Sequence, residues 1–259
     1  MTMAHIGVFD SGVGGLSVLQ ALQARMPEQR YSYFADSLHA PYGGLDAEKL
    51  LKYSERIVSF LISKGASLIV VACNTVTTSL IGELRQRFEL PFVGVEPAVK
   101  PAAAMTLNGR IGVLATQGTL NSSGYRATCQ KFASEVTLIE RAGVGLVEAI
   151  EHLPWDSEAL RTRVQSFAHE FNRAQIDTLV LGCTHYPLIE SLFRECLVEE
   201  IKIVSAAEAV ARRVEQLVPT NDYSASLDFY TSAAATQLAP FISRMAFQHV
   251  KGIHQVTLE

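Results

Sequence analysis

Two cysteines stand at matching places in two similar stretches of this 259-residue chain. LIVVACNT leads an apolar run into Cys73, and TLVLGCTHY leads another into Cys183. Each thiol falls where a buried strand should end. The likeness reaches upstream, since Ile6-Gly7-Val8-Phe9 before Asp10 and Ser11 resembles Ile111-Gly112-Val113-Leu114 before Ala115 and Thr116. Gly7 recurs as Gly112 at an offset of 105 residues and Cys73 as Cys183 at 110, a difference that loop variation leaves in a duplicated α/β unit. Two thiols facing one small ligand from two sides suit a particular reaction. Inverting a carbon that bears an acidic hydrogen, without a cofactor, needs a base on one face and an acid on the other. Thiols fill both roles because their surroundings tune their ionisation toward the working pH. A thiol amidase or other hydrolase needs one nucleophile, a paired base and an oxyanion hole, which leaves the second cysteine without a task. A module that only binds an amino acid would exchange no α-hydrogen at all.

The neighbours of the thiols carry further chemistry. Asn74 and Thr75 follow Cys73, and Thr184 and His185 follow Cys183. At the start of a helix such residues offer side-chain and backbone donors to a carboxylate, and the helix N-terminus lowers the pKa of a thiol. His185 is placed to be the proton partner of Cys183 or a donor to the substrate. Cys-x-His with no further Cys or His nearby is poor zinc spacing, so no metal is expected. The segment FDSGVGG (9–15) reads as a Gly-rich turn from strand to helix whose amides could hold an anion. It matches neither the dinucleotide fingerprint nor the P-loop. Asp10 or Ser11 is expected to cap the helix that follows, and Asp10 can also accept a proton beside a thiol or pair with an ammonium. Cys129 and Cys196 read as buried structural thiols, and Trp155, after Pro154, as a packing residue at a helix start.

The elements that must position these groups alternate between strand and helix, which predicts an α/β fold with parallel sheets flanked by crossover helices. Strands are expected at 5–9, 31–35, 67–72, 91–95, 111–115, 136–139, 178–182, 201–204, 227–231 and 254–258. Several are almost wholly apolar, as strands buried on both faces should be. Leu16, Leu19, Leu22 and Met26 keep one helical stripe, and Leu50, Ile57, Phe60 and Leu61 another. The repeat divides the chain into two pseudo-symmetric domains, 1–96 with 212–259 and 97–211. The carboxyl ends of both sets of strands would then meet at one cleft holding the active site. Composition excludes other classes. A net charge of −4 with scattered Lys and Arg offers no field for nucleic acid or an anionic membrane. No apolar stretch approaches the length of a membrane helix, and no signal peptide is evident. Four cysteines without a C-x-x-C pair fit reduced thiols in a cytoplasm.

DSGVGGLSVL (10–19), APYG (40–43), ACNT (72–75), GVEPAVKPA (94–102) and GCTHYPL (182–188) together resemble glutamate racemase, in order and at that family's spacing. The resemblance implies cofactor-independent interconversion of L- and D-glutamate, which supplies D-glutamate for peptidoglycan, by an enzyme that is cytoplasmic and a homodimer. It implies that Cys73 acts on the D isomer with help from Asp10, and Cys183 on the L isomer with help from His185 and Glu148. Ser11, Asn74, Thr75 and Thr184 would bind the α-carboxylate and ammonium groups. Pro41, Tyr42 and Gly43 would meet the far end of the substrate, largely through backbone, with Thr116 and Thr119 lining the second half of the cleft. Val76 and the pair Ser205-Ala206 depart from the family's usual residues at positions without an expected catalytic role. Asp10 follows the first residue closely, so activation by a peptidoglycan precursor is not expected. A racemase of another acidic amino acid, such as aspartate, remains a reading of the same motifs.

Overall fold

A computed structural model describes residues 5–218 and 224–258, which form two units: one up to Val95 and again from Ala207, the other Glu96–Ala206. The first unit runs β1 (His5–Asp10), α1 (Leu16–Arg25), β2 (Arg30–Ala35), α2 (Ala47–Ser63), β3 (Leu68–Val71), α3 (Asn74–Arg87) and β4 (Phe92–Gly94). The second runs α4 (Val99–Met105), β5 (Arg110–Ala115), α5 (Gln117–Asn121), α6 (Ser123–Phe132), β6 (Thr137–Ala142), α7 (Leu146–His152), α8 (Glu158–Arg173), β7 (Thr178–Gly182), α9 (Glu190–Cys196) and β8 (Lys202–Val204). The chain then adds α10 (Ala207–Glu215), β9 (Ser226–Thr231), α11 (Ala235–Arg244) and β10 (Val250–Gln255) to the first.

Both sheets are parallel, in the orders β10-β9-β2-β1-β3-β4 and β6-β5-β7-β8. Stripped of β9 and β10, the first order is the second: an opening strand in the middle, its successor on one side and the next two on the other. The repeat read from Gly7 and Gly112 is therefore a repeat of topology. Gly7 pairs with Ile69 on β3, and Gly112 with Leu179 on β7. The middle strands are apolar because helices cover both faces. Ile6, Val8, Phe9, Ile69, Val70 and Val71 are all fully buried. Leu16, Leu19 and Leu22 put one side of α1 in that core, each burial stabilising by about 1.5–3 kcal/mol. Side-chain oxygens of Asp46, Ser122 and Ser157 accept the first free amides of α2, α6 and α8. Such caps contribute about 1 kcal/mol each.

Four expectations change. The border expected after Ala211 would cut α10, which packs whole on α1, with Arg25 reaching Glu208 and Glu215 from one side chain. The last strand ends at Gln255, the Val256 amide making a final bond to the Thr231 carbonyl at 2.9 Å; Val256 and Leu258, the apolar residues that drew the expected strand toward the terminus, pack partly buried on the core. Cys129 and Cys196 are half-buried, at the margin of their clusters. Trp155 packs on the core as expected, but from the turn before α8 and not from the helix start, and its indole N–H donates to the Ile150 carbonyl at 3.0 Å near the end of α7.

Candidate active site

In the first unit, β1 ends on Asp10, which is fully buried. Its carboxylate accepts the amide of Ser11 at 2.8 Å and that of Gly15 at 2.6 Å, so the Gly-rich turn closes around an anion of its own. This revises the expected use of these amides for an outside anion. It also revises the capping: α1 starts after Gly15, and neither Asp10 nor Ser11 is its N-cap. A Cβ on Gly15 would lie 2.8 Å from Asp10 Cβ and 3.0 Å from Ala72 Cβ, both fixed points of the backbone, so only glycine fits. The Tyr33 hydroxyl ties down the turn by donating to the Gly12 carbonyl at 2.7 Å.

Cys73 follows β3, the neighbour of β1. The Ala72 amide donates to the Phe9 carbonyl at 2.8 Å, which brings the end of β3 level with the end of β1 and its Asp10. Cys73 occupies the N-cap position of α3, 5 % exposed, with the amides of Asn74 and Thr75 opening the helix behind it. Asn74 fixes that opening by donating from Nδ2 to the Val95 carbonyl at 3.1 Å. Ser11 and Thr75 are buried beside the same strand ends.

Tyr42 sits in the core cluster that holds Cys73, and its hydroxyl donates to Asp36. Burial foremost, then the Asp36 carboxylate, and to a smaller degree the charges of Cys73 and Asp10, push this phenol well above its ordinary value, so it stays neutral. Asp36 also bonds the His39 ring at 2.9 Å, and its backbone amide donates to the Asp10 carbonyl at 2.9 Å. It links the 40–43 turn to the end of β1, a role no sequence motif announces. Pro41 is exposed and Gly43 half-buried.

In the second unit, the place of Asp10 at the strand end is taken by Ala115, which pairs with Gly182. Thr116 follows it as the N-cap of α5. Its hydroxyl accepts the Thr119 amide at 3.1 Å and donates to Thr119 Oγ1 at 2.9 Å, so the two threonines close one turn. Cys183, 6 % exposed, and the buried Thr184 follow β7. Here no α-helix begins at once. Residues 186–189 form a 3₁₀ turn and α9 waits until Glu190, because Pro187 disfavours helical backbone at Tyr186 and brings no amide of its own. The expected helix N-terminus behind this thiol is absent.

A histidine stands in its stead. Cys183 Sγ lies 3.8 Å from His185 Nδ1, and His185 Nε2 lies 2.7 Å from Glu151 Oε1. Burial is the strongest single influence on His185 and lowers its pKa. The bonds to Cys183 and Glu151, with their charges, outweigh it and hold the imidazole well above its ordinary value. The result is a protonated ring beside a thiol, oriented by a carboxylate. That carboxylate is not the expected one. Glu148 is an exposed residue one helical turn earlier on α7, while Glu151 reaches His185. Glutamates three apart share a helix face, so their spacing alone does not choose between them. Among the described residues no cluster of three His, Cys, Asp or Glu side chains is set to hold a metal, and no helix is long and apolar enough to cross a membrane.

The chain is similar to known proteins along most of its length. Residues 17–214 match the family model described as Asp/Glu/Hydantoin racemase. A glutamate racemase of Pseudomonas paraeruginosa is 43 % identical over 241 residues, 91 % of each chain, and one from Pseudomonas aeruginosa is 42 % identical over the same share. Among solved structures, a glutamate racemase isoform from Bacillus anthracis superposes with a TM-score of 0.90 at 28 % identity, covering 100 % of this chain and 99 % of that one. The Escherichia coli glutamate racemase, crystallised with L-glutamate and the activator UDP-MurNAc-ala, gives 0.87 at 32 % identity, with 98 % and 99 % covered.

Proposed function

The chain belongs to the Asp/Glu/Hydantoin racemase family, and from that premise we propose that it interconverts L- and D-glutamate by two-base proton transfer at the α-carbon, without a cofactor. The observation that carries the reading is the pair of buried thiols at equivalent strand ends, each with an acid–base group within its own unit. One thiol takes the α-proton from one face of the carbon while the other delivers a proton to the opposite face; on the reverse passage their roles exchange. Cys73 serves the D isomer beside Asp10. Cys183 serves the L isomer beside His185, which Glu151 orients. Glu151 replaces Glu148 in that role because it makes the bond to the imidazole.

The amides at the start of α3, with Ser11, Asn74, Thr75 and Thr184, suit the substrate's α-carboxylate and ammonium, the 41–43 turn suits its far end, and Thr116 and Thr119 are further substrate-binding residues of the second unit. Supply of D-glutamate to peptidoglycan, a cytoplasmic setting and a homodimeric assembly belong to the same proposal, supported by the resemblance to glutamate racemases. The test is incubation with L-glutamate in deuterated water, without added cofactor, in parallel with L-aspartate. Loss of optical rotation together with uptake of α-deuterium from glutamate is expected. Neither change with glutamate would overturn the reading, and a faster reaction with aspartate would reassign the substrate.

A further inference from the structure

Each thiol has a fully buried tyrosine close enough for the thiol's charge to bear on the phenol: Tyr42 for Cys73 and Tyr186 for Cys183. The two hydroxyls are differently engaged. Tyr42 gives its hydrogen to Asp36. Tyr186 Oη, wholly enclosed, makes no hydrogen bond of ordinary geometry among the described residues, and the Cys183 sulfur is the one acceptor near enough to draw on its hydrogen. A buried hydroxyl without a well-made hydrogen bond is costly, and so calls for an explanation in some other state of the molecule. The enclosure is built to admit it. A Cβ on Gly143 would fall 2.1 Å from Tyr186 Oη, so this glycine leaves the niche in which the hydroxyl sits. The Tyr186 amide donates to the Cys183 carbonyl at 3.1 Å, which fixes the backbone of the one to the other, and both side chains belong to one core cluster.

We propose that Tyr186 is a positioning residue for Cys183: its otherwise idle hydroxyl donates a hydrogen bond to the sulfur when the thiol is ionised, and so favours the thiolate. The proton stays on the phenol oxygen, which burial and the charges of Cys183 and Glu148 push well above the ordinary phenol range. The groups facing the sulfur are then His185 at 3.8 Å, backed by Glu151, and Tyr186, with Glu148 beyond it. Tyr42 cannot do the same for Cys73 while its hydrogen is given to Asp36, so the device belongs to one thiol only.

This inference deepens the racemase reading, but its main test does not depend on turnover. Thiolate absorbance near 240 nm is followed against pH in the full-length protein, with and without Cys183→Ser, so that the difference isolates Cys183. The same pair is measured in a Tyr186→Phe background, and Cys73→Ser isolates Cys73 in both. Tyr186→Phe keeps the ring, and its melting at pH 6 against the parent confirms that it folds. The Cys183 titration should move up by about one to two pH units in Tyr186→Phe, the size of a hydrogen bond to a charged group, with Cys73 unmoved. An unmoved or lowered Cys183 midpoint, or equal movement of both thiols, would overturn the proposal. As a second readout, racemisation at neutral pH should fall about tenfold in kcat with little change in KM; unlike the titration, this arm rests on the racemase reading.

Discussion

The Cys73 and Cys183 regions share a scaffold and differ in chemistry. Strand order, parallel register and the placing of a thiol just past the strand beside the opening one repeat from unit to unit. The side chains that serve those thiols do not. Position 10 is an aspartate that binds its own turn, and its counterpart is Ala115; the residue two past the thiol is Thr75 in one unit and His185 in the other. Cys73 has an α-helix start behind it, and Cys183 has a 3₁₀ turn and a protonated imidazole. The repeated topology is what puts the two thiols at equivalent places. Differences at a few neighbouring positions give the two thiols unlike surroundings on one repeated scaffold, and in the proposed reaction these become two differently served proton-transfer groups.

The comparison breaks most directly at the sulfurs. Cys73→Ala and Cys183→Ala should each reduce racemisation by on the order of 10³-fold or more, since each removes a proton carrier that the proposed reaction requires. The enantiomers are equal in energy, so kcat/KM must match in both directions for every variant, and rates of inversion cannot assign a hand to a thiol. Exchange can. Cys73→Ala should still wash deuterium into L-glutamate without inverting it and leave D-glutamate untouched, with the converse for Cys183→Ala. Equal exchange into both isomers in either variant would dissolve the assignment, and full turnover in one would leave a single-thiol reaction.

The helpers give a smaller and more selective effect. Glu151→Gln should slow turnover by about 10–100-fold and depress exchange into L-glutamate more than into D-glutamate, whereas Asp10→Asn should do the reverse. Glu148→Gln, at an exposed site, should stay within about twofold. Stability against pH adds a second reading. A histidine whose native pKa is raised contributes stability that is full below about pH 6.5, its unfolded value, and is lost as pH rises through the native one. Urea midpoints should therefore fall as pH climbs above 6.5, with a limiting slope from this group of about 1.4 kcal/mol per pH unit, and fall less steeply in Glu151→Gln. Parallel curves for parent and variant would show that Glu151 does not hold the proton on His185.

Much of this was legible in the residues alone, for physical reasons that also mark where legibility ended. Runs such as Leu68–Val71 and Thr178–Gly182 announce themselves because a strand covered on both faces has no polar positions to break the run. The thiols were found by the same route, as breaks at the ends of those runs. Glu151 was not, because Glu148 and Glu151 lie on one face of α7 and only the approach of His185 separates them. Asp36 was missed because its importance arises from strand order: β2 lies beside β1, which puts its amide on the Asp10 carbonyl and its carboxylate under Tyr42. The terminal strand was misplaced because Val256 and Leu258 carry the apolar pattern past the last strand residue as they pack on the core, and an apolar pattern reports burial, not the extent of a strand.

The scaffold's symmetry can be tested apart from its chemistry, with the smallest expected effect. Gly7 and Gly112 occupy equivalent places on β1 and β5, where a helix packs too close for a side chain. A Cβ on Gly7 would first meet Ile69 Cδ1 at 2.8 Å, the far end of a flexible side chain, and then Ala66 Cβ at 3.0 Å. On Gly112 it would meet Ile176 Cδ1 at 2.6 Å and the Phe171 ring at 2.8 and 2.9 Å, and that ring is fully buried. Overfilling a packed interior costs about 1–3 kcal/mol, and the cost depends on what can move aside. Both alanine variants should therefore destabilise, Gly112→Ala by more than Gly7→Ala, in urea midpoints read at unchanged slope. A Gly7→Ala protein less stable than Gly112→Ala would mean that the close approach in the first unit is the stiffer one, and that the two copies of the scaffold have diverged in packing as well as in their proton-transfer groups.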